Sequence, residues 1–288
     1  MIRIAHLTDS HTTSLAGVGV RPLLGKRALG YLSWRRKRQH QHSQQMLEAT
    51  TRTALAKQPD AIVLTGDFLH IGLRQEMRQI KSWLQALAAE VPVLLVPGNH
   101  DYYAADSLAM WQQELGDLPV FGEPVQAPHD WPRRLTVGPV NLLGLCSAYP
   151  APLTKADGQL GEQQRALLAQ ELTPSTSDIT ENTHKLVALH HPAALNLSAG
   201  RKNLLDAAEL QALLPAASAL LHGHLHKNID YEVNGVPCYC TASASSIHGA
   251  ALASFRLLEF SATPAEKTVH SRLFVATDGT PDADFVER

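Results

Sequence analysis

The sequence is poor in cysteine, and it contains no long hydrophobic run. Its three cysteines, Cys146, Cys238 and Cys240, cannot form a disulfide framework, and one Cys-x-Cys pair is too sparse for a zinc knuckle. No apolar run approaches the ~20 residues that span a bilayer. The acidic residue Asp9 comes too early for a signal peptide to be expected. We therefore expect a soluble, cytoplasmic protein.

Charged residues are also scarce, at 18% of 288 residues, and the net charge is only −2. A nearly neutral chain is not expected to bind polyanions over its whole surface, so we do not expect nucleic acid as a partner. The hydrophobic fraction of 44% is ample for a buried core and excludes an intrinsically disordered chain. No internal repeat divides the chain, and we predict a single domain over residues 1–288.

Short β-like runs alternate with helical segments, which predicts an α/β fold. We predict helices at residues 43–57, 75–89, 104–115, 163–172 and 204–214. We predict strands at residues 2–8, 60–65, 92–96, 186–189 and 219–221, two strands within 135–145, and hairpins at 229–241 and 255–275. The Asn234-Gly235 pair favours the tight turn of the first hairpin. The Ser/Thr-rich segment 174–183 is the predicted linker.

A basic insert occupies about residues 12–45. From Ser10 to Leu47 the chain has no acidic residue, but it has seven basic residues between Arg21 and Arg38, interleaved with leucine, tyrosine and tryptophan. This pattern is typical of an amphipathic, surface-seeking element. Two interpretations stay open. The insert packs its apolar stripe on the body as a helix, or it forms a cap that binds an anionic or lipid-bearing substrate or an acidic membrane, at about 1 kcal/mol per basic residue.

Five polar motifs directly follow apolar strands. They are Asp9-Ser10-His11, Gly66-Asp67, Gly98-Asn99-His100-Asp101, His190-His191-Pro192 and Gly223-His224-Leu225-His226. Strand ends in α/β sheets form the crevice where ligands bind. Any one of these motifs alone is weak and would suit a turn or a loop of solvated histidines. Together, their carboxylate, amide and imidazole groups predict a site for Mn, Fe or Zn rather than for calcium.

The motifs supply too many ligands for one tetrahedral ion, but enough for two ions that share a ligand. The ligand set is Asp9, His11, Asp67, Asn99, His190, His224 and His226. A carboxylate has two oxygens, and we expect Asp67 to bridge the two ions. In Asp-x-His and His-x-His, residues i and i+2 of an extended chain point to the same side, so we expect each pair to face one site.

This series of motifs resembles that of the calcineurin-like metallophosphoesterase superfamily, most closely its cyclic-nucleotide and glycerophosphodiester phosphodiesterase branch. The resemblance runs from Asp9 to His226. It implies a four-layer α/β/β/α sandwich of two mixed sheets flanked by helices, with the site at the rim between the sheets. It also implies how the ligands divide: Asp9, His11 and His226 hold one metal, Asn99, His190 and His224 hold the other, and Asp67 bridges them.

The same resemblance implies catalytic roles for His100 and Asp101. His100 would lie near the substrate and protonate the leaving oxygen, a contribution of about 10²–10⁴ in rate, and Asp101 would orient it. Two divalent ions roughly 3.5–4 Å apart would lower the pKa of a shared water, and the hydroxide would attack a phosphodiester or phosphomonoester in line.

The sequence leaves two further functions open. The Gly25-Lys26-Arg27 and Trp34-Arg35-Arg36 stretches of the insert resemble, more weakly, inserts of pyrophosphohydrolases that cleave lipid-linked nucleotides such as UDP-2,3-diacylglucosamine. Such an enzyme would act peripherally at the inner membrane face through Arg21–Arg38. The other alternative is a non-catalytic, protein-binding scaffold on the same fold. The seven ligands do not separate the possible substrates, because substrate choice resides in loops around the rim.

The remaining histidines receive simpler interpretations. We expect His6 and His70 to support the site from behind, His191 to pack or contact substrate, and His222 to face the core. Surface or loop positions are expected for His40, His42, His129, His184, His248 and His270.

Overall fold

The structure, a computed structural model, describes residues 1–126, 131–173, 183–197, 200–249, 251–261 and 269–288. Within these ranges the helices are α1 Lys26–Arg36, α2 Gln44–Ala56, α3 Arg74–Glu90, α4 Ser107–Leu115, α5 Glu162–Leu172 and α6 Ala207–Leu213. The strands are β1 Ile2–Leu7, β2 Ala61–Leu64, β3 Val93–Leu95, β4 Glu123–Pro124, β5 Arg133–Val137, β6 Val140–Gly144, β7 His184–Ala188, β8 Ala219–His222, β9 Ile229–Val233, β10 Val236–Cys240, β11 Ser254–Phe260, β12 Val269–Ala276 and β13 Phe285–Glu287.

The strands form two sheets. The first sheet has six strands in the order β13-β12-β11-β1-β2-β3, and the second has seven in the order β4-β5-β6-β7-β8-β10-β9. In the first sheet β1, β2 and β3 run parallel, while β11 is antiparallel to β1. In the second sheet β6, β7, β8 and β10 run parallel, with β9 antiparallel at the edge. Both sheets are therefore mixed.

Three apolar layers hold the sandwich together. Between the sheets, Ile4 and Val63 of the first sheet pack with Leu186 and Leu221 of the second. The outer face of the first sheet is covered by α2, α3 and α4, and the outer face of the second by α5 and α6. Strand β2 is buried along its whole length because both of its faces are covered, which explains its unbroken apolar sequence. The predicted four-layer α/β/β/α sandwich is confirmed.

Most predicted elements are confirmed to within a few residues, including the hairpin strand pairs β9–β10 and β11–β12. Helix α6 begins later than predicted, because Leu204 pairs with Gly158 in a β-bridge and holds the chain extended there. The short strands β4 and β13 were not predicted from the sequence. Residues 174–182 of the predicted linker and His129 lie outside the described residues. The single domain over residues 1–288 stays a prediction.

The basic insert folds onto the body through α1. Trp34 is 7% exposed and packs with Ile71, Leu73 and Tyr103. Gly30 permits this contact, because a Cβ there would lie 2.4 Å from a methyl group of Ile71. This contact agrees with the first interpretation of the insert, a helix packed on the body, for part of its apolar surface. Other apolar residues of the insert are exposed: Val20, Leu24, Leu29 and Leu32. Among the described residues, no helix combines the length and hydropathy needed to cross a bilayer.

Candidate metal centre

The predicted ligands converge at one rim of the sandwich. Asp9, Asp67 and Asn99 follow β1, β2 and β3 of the first sheet, whereas His190 and His224 follow β7 and β8 of the second. Parallel strands of one sheet end at the same edge, so the polar loops of each sheet lie together there. The edges of the two sheets meet at this rim. Six of the seven predicted ligands are buried, and the side chain of the seventh, His226, is 38% exposed.

Five of the seven ligands lie in the left-handed region of backbone conformation. The positive φ angles are 52° at Asp9, 42° at His11, 59° at Asp67, 69° at His224 and 52° at His226. Such a conformation costs of order 1–3 kcal/mol per residue and clusters at functional sites, where the surrounding structure enforces it. The prediction that the Asp-x-His and His-x-His pairs face the site from an extended chain is therefore wrong. These side chains reach the site through turns.

Glycines let the loops pass close to the carboxylates. A Cβ on Gly98 would lie 2.3 Å from Oδ1 of Asp67, and one on Gly223 would lie 2.3 Å from Oδ2 of Asp9. Both approaches are shorter than any side chain allows. The glycines before Asn99 and before His224 are thus required for the loops to lie against the two aspartates.

The first group of ligands is formed by Asp9, His11 and His226, whose ligand atoms all lie within 4.8 Å of one another. Oδ2 of Asp9 accepts hydrogen bonds from the Thr8 hydroxyl at 2.7 Å and the His224 amide at 2.9 Å. Its Oδ1 accepts no hydrogen bond from any residue that the structure describes, and it lies 3.3 Å from Nε2 of His226. One oxygen therefore fixes the carboxylate, and the other is available to a cation.

The second group of ligands surrounds Nε2 of His190. Oδ1 of Asn99 lies 3.2 Å from that nitrogen, Nδ1 of His224 lies 3.2 Å from it, and Oδ2 of Asp67 lies 3.3 Å from it. The same Oδ2 of Asp67 lies 3.5 Å from Nε2 of His11 in the first group. Asp67 is thus placed between the two groups, as a bridging carboxylate must be.

Backbone carbonyls fix two of the imidazoles. Nδ1 of His190 donates to the Thr65 carbonyl at 2.7 Å, and Nδ1 of His11 donates to the Leu69 carbonyl at 2.8 Å. In each ring the other nitrogen, Nε2, is turned towards Asp67. This arrangement, in which one ring nitrogen donates and the other faces the site, is typical of metal-binding histidines.

The protonation of the site follows from burial and from the two carboxylates. Burial lowers the pKa of His11 and His224 well below the ordinary range, so both rings are neutral near pH 7. Burial alone would also lower the pKa of His190, but the carboxylates of Asp67 and Asp9 raise it to about 9. Burial opposes ionisation of Asp67, but His190 and His100 hold its pKa well below the usual value.

These residues fit a pair of divalent cations. The mixture of carboxylate, amide and imidazole donors suits first-row metals. Two buried ligand atoms, Oδ1 of Asp9 and Nε2 of His224, have no hydrogen-bond partner among the described residues. Within the same part of the chain, Nε2 of His191 is also buried without a partner, and His191 joins His190 and His224 in a third group of close ligand atoms. His191, expected to pack or contact substrate, therefore lies against the second group of ligands.

His100 contacts different groups from those expected. Its Nδ1 lies 2.6 Å from the His70 carbonyl, which assigns the ring proton to Nδ1. A guanidinium nitrogen of Arg38, from the insert, lies 3.1 Å from the same atom. Burial and the charge of Arg38 lower the pKa of His100 well below its ordinary value.

Asp101 does not orient the ring of His100, because both of its oxygens are occupied elsewhere. The carboxylate accepts backbone N–H groups of Gly98, Asp67, Phe68 and Leu69 at 2.8–3.1 Å. Asp101 therefore fixes the loop that carries the candidate bridging carboxylate. The expected contact is replaced because the loop amides are unsatisfied by secondary structure and require a buried acceptor.

Three residues near the site were not predicted from the sequence. The ring of His42 lies 5.1 Å from that of His11 and 5.8 Å from that of His226, so this histidine, expected at a surface or loop position, lies in a loop that borders the site. Arg38 reaches the site from the same insert. Lys202 belongs to the short 3-10 helix Gly200–Lys202 between β7 and β8. Burial lowers the pKa of its ammonium, while the charges of Asp9 and Asp67 act in the opposite direction. None of these three belongs to a motif with informative spacing.

The other histidines mostly occupy their expected places. His6 lies behind the site and contacts the hydroxyls of Thr65 and Thr241, and His70 stacks on His11. His222 is buried and contacts Tyr231. His40, His248 and His270 are exposed. His184 is an exception, because it is buried in β7 beneath the ring of Phe260.

Comparison with known proteins identifies relatives of this chain. The cAMP/cGMP dual specificity phosphodiesterase of Mycobacterium tuberculosis is 29% identical over 199 residues, which cover 67% of this chain and 56% of that protein. The 3',5'-cyclic adenosine monophosphate phosphodiesterase of Escherichia coli (strain K12) is 27% identical over 189 residues, covering 64% of this chain and 60% of that protein. The chain thus spans less than two thirds of the length of these relatives.

The fold and the family are shown independently. A dimetal phosphatase from Danio rerio has the same fold, with a TM-score of 0.63 and 12% identity over 95% of this chain and 94% of that one. A family model described as calcineurin-like phosphoesterase matches residues 2–228, a range that contains all seven predicted ligands. The chain belongs to the calcineurin-like phosphoesterase family.

Proposed function

We propose that the protein is a dinuclear metal-dependent hydrolase of phosphoric esters that acts on a small phosphodiester. The position of Asp67 carries the proposal, because its Oδ2 lies 3.5 Å from Nε2 of His11 and 3.3 Å from Nε2 of His190. A carboxylate between two sets of nitrogen and oxygen ligands suits two cations held side by side. The cyclic-nucleotide phosphodiesterases among the relatives support a diester as the substrate.

The seven predicted ligands would bind two cations, according to their positions. Asp9, His11 and His226 would hold one divalent cation, Asn99, His190 and His224 the other, and Asp67 both. Mn, Fe and Zn are the metals that this ligand set suits. When bound, such a pair supplies a nucleophile from water near neutral pH and aligns the phosphoryl group for in-line displacement. The buried walls of the site exclude bulk water and strengthen each charge interaction within it.

We assign the proton transfer at the leaving oxygen to His100. Its Nδ1 donates to the His70 carbonyl at 2.6 Å, so Nε2 carries no proton in the free protein. Nε2 takes up a proton when an anionic phosphoester binds beside it, because a nearby negative charge favours the imidazolium, and it then passes that proton to the leaving oxygen. Asp101 acts indirectly. Its carboxylate accepts a hydrogen bond from the backbone amide of Asp67 at 2.8 Å and so positions the candidate bridging carboxylate.

The test is hydrolysis of bis-p-nitrophenyl phosphate by chelator-treated protein, with and without Mn, Fe or Zn. We expect metal-dependent cleavage of the diester, with slower cleavage of p-nitrophenyl phosphate. Absence of hydrolysis with every metal would contradict the proposal and favour the protein-binding scaffold.

A second candidate is the cleavage of a lipid-linked nucleotide at the inner face of a membrane. It is supported by the exposed side chains of Val20, Leu24 and Leu29, which are 81%, 73% and 53% exposed beside a basic segment. Such residues would insert among lipids while the basic groups meet anionic headgroups. Sedimentation with anionic liposomes tests this. Binding should be lost in the Leu24→Ser/Leu29→Ser variant, and equal binding to neutral liposomes would contradict it.

A further inference from the structure

The insert is fixed to the two loops that carry Asp67 and His100. Arg27 of α1 donates to both carboxylate oxygens of Asp106, at 2.6 and 2.9 Å, and to the carbonyls of Ile71 and Gly72, both at 3.1 Å. Asp106 follows the β3 loop and Ile71 follows the β2 loop. A bidentate arginine–carboxylate contact, together with two hydrogen bonds to backbone carbonyls, defines an orientation rather than a loose association. The insert is therefore a fixed part of the rim of the site.

The chain beyond α1 returns across the site. It forms a short 3-10 helix at Arg38–His40, and then the amide of Ser43 donates to the carbonyl of Ser245 at 3.0 Å. Between these points the amide of Ile247 donates to the carbonyl of Gln41 at 2.9 Å. These contacts hold the guanidinium of Arg38 with Nη1 3.1 Å from Nδ1 of His100.

Arg38 is partly buried without a counter-ion. Among the residues that the structure describes, no carboxylate lies within ion-pair distance of its guanidinium, whereas Arg27 of the same insert has Asp106. Burial lowers the pKa of Arg38, and the charge of Asp67 acts in the opposite direction. The guanidinium is therefore close enough to the candidate metal centre for the carboxylate of Asp67 to act on it. Removing an arginine from water without a partner is costly, unless an anion is bound there during function.

The contact with His100 does not satisfy this guanidinium. Nδ1 of His100 donates its own proton to the His70 carbonyl, so the nitrogen has no lone pair to accept a bond from Arg38. A guanidinium has five N–H donors in a planar fork, and that fork matches two oxygens of a phosphoryl group. Its donors thus lie beside His100, the residue to which we assign proton transfer at the leaving oxygen.

We propose that Arg38 is a substrate-binding residue that contacts a phosphoryl oxygen beside His100, so that the insert completes the phosphate site. This inference rests on the proposed function. It divides the basic residues of the insert into two kinds: Arg38 faces the site, and residues such as Arg36 face solvent. The anion recognised is a phosphoryl group held next to the metal pair.

The experiment measures binding of inorganic phosphate to the metal-loaded protein by isothermal titration calorimetry. The variants are Arg38→Gln, Arg38→Lys and, as a matched control on the exposed side of the insert, Arg36→Gln. Metal content and melting temperature are measured for each. We expect Arg38→Gln to weaken phosphate binding about 10- to 100-fold, the loss for one charge-assisted contact, at unchanged metal content. Arg38→Lys should recover part of the affinity, and Arg36→Gln should bind as the wild type.

Three results would contradict the inference. They are wild-type phosphate affinity in Arg38→Gln, an equal loss in Arg36→Gln, and loss of the fold in Arg38→Gln, since a side chain held for substrate is not needed for folding. The outcome is separable from that of the proposed function. Arg38-dependent phosphate binding without hydrolysis would overturn the activity alone, and hydrolysis with Arg38-independent phosphate binding would overturn this inference alone.

Discussion

The carboxylate of Asp67 lies 3.3 Å from Nε2 of His190, and this pair joins the polar loops of the two sheets. Asp67 follows β2 in the first sheet, and His190 follows β7 in the second. The carboxylate holds the imidazole in its protonated form, with a pKa of about 9. A proton and a divalent cation therefore compete for the same nitrogen.

This competition predicts that metal binding releases a proton. Below pH 9 the ring of His190 carries two protons, and it must lose the one on Nε2 to bind a cation, so metal affinity should rise between about pH 7 and pH 9. Calorimetry in two buffers of different ionisation enthalpy measures the release. We expect about one proton from this group at pH 7.5. Metal affinity that does not change over this pH range would show that His190 is neutral before binding.

Replacing the candidate bridge should reduce metal content. In Asp67→Asn the amide offers one neutral oxygen, which cannot serve two cations as a carboxylate does. We expect the metal content, measured by elemental analysis, to fall from about two ions per chain to one or fewer. The exposed Asp117→Asn variant should retain both. Full occupancy in Asp67→Asn would place the bridge elsewhere.

Removing the imidazole of His100 should separate metal binding from catalysis. We expect His100→Ala to keep both metals but to lose about 10²–10⁴ in kcat on an alkyl phosphodiester, whose leaving oxygen needs a proton. The loss should be smaller on bis-p-nitrophenyl phosphate, whose leaving group is stable as an anion. The exposed His40→Ala variant is the control. An unchanged kcat on the alkyl ester would rule out the assigned role.

The role of Asp101 predicts a loss of stability rather than a change in the ring of His100. In Asp101→Asn one oxygen becomes an NH₂ group that faces backbone donors, so at least one buried amide is left without an acceptor. We expect the free energy of unfolding to fall by about 1–3 kcal/mol or more, measured by urea denaturation, with weaker metal retention. Unchanged stability would mean that the four backbone contacts do not hold this loop.

The close approach of Gly223 to Asp9 predicts sensitivity to a single methyl group. In Gly223→Ala the new Cβ would lie 2.0 Å from the Thr8 hydroxyl and 2.3 Å from Oδ2 of Asp9, so the first group of ligands must shift. We expect reduced metal content and a stability loss of about 1–3 kcal/mol. Gly19→Ala, where a Cβ meets open space, is the control. Full metal content in Gly223→Ala would show that the loop can relax.

The alternation of strands and helices could be predicted from local sequence, and the four-layer sandwich from the resemblance of the motifs to those of a known family. Apolar runs such as β2 end in polar motifs, and the ends of parallel strands necessarily meet at one rim. The backbone conformation could not be predicted. Asp9 and His11 reach the site through left-handed turns that are enforced by contacts from remote loops, and the alternation rule for strands does not describe them.

The contributions of the insert could not be predicted for a related reason. Arg38 and His42 have no fixed spacing from any motif, and their positions depend on how Arg27 and Trp34 attach α1 to the body. The hydrogen bonds of Asp101 likewise span more than thirty residues, from Asp101 to the amides after β2. Such contacts depend on tertiary structure, which no local pattern of residues encodes.

The most direct test of the metal centre is anomalous diffraction from crystals of the metal-loaded protein, collected at the absorption edge of the bound metal. We expect two anomalous peaks, one on each side of the carboxylate of Asp67, with Asp9, His11 and His226 around one and Asn99, His190 and His224 around the other. A single peak, or peaks away from Asp67, would contradict the dinuclear centre on which the proposed activity depends.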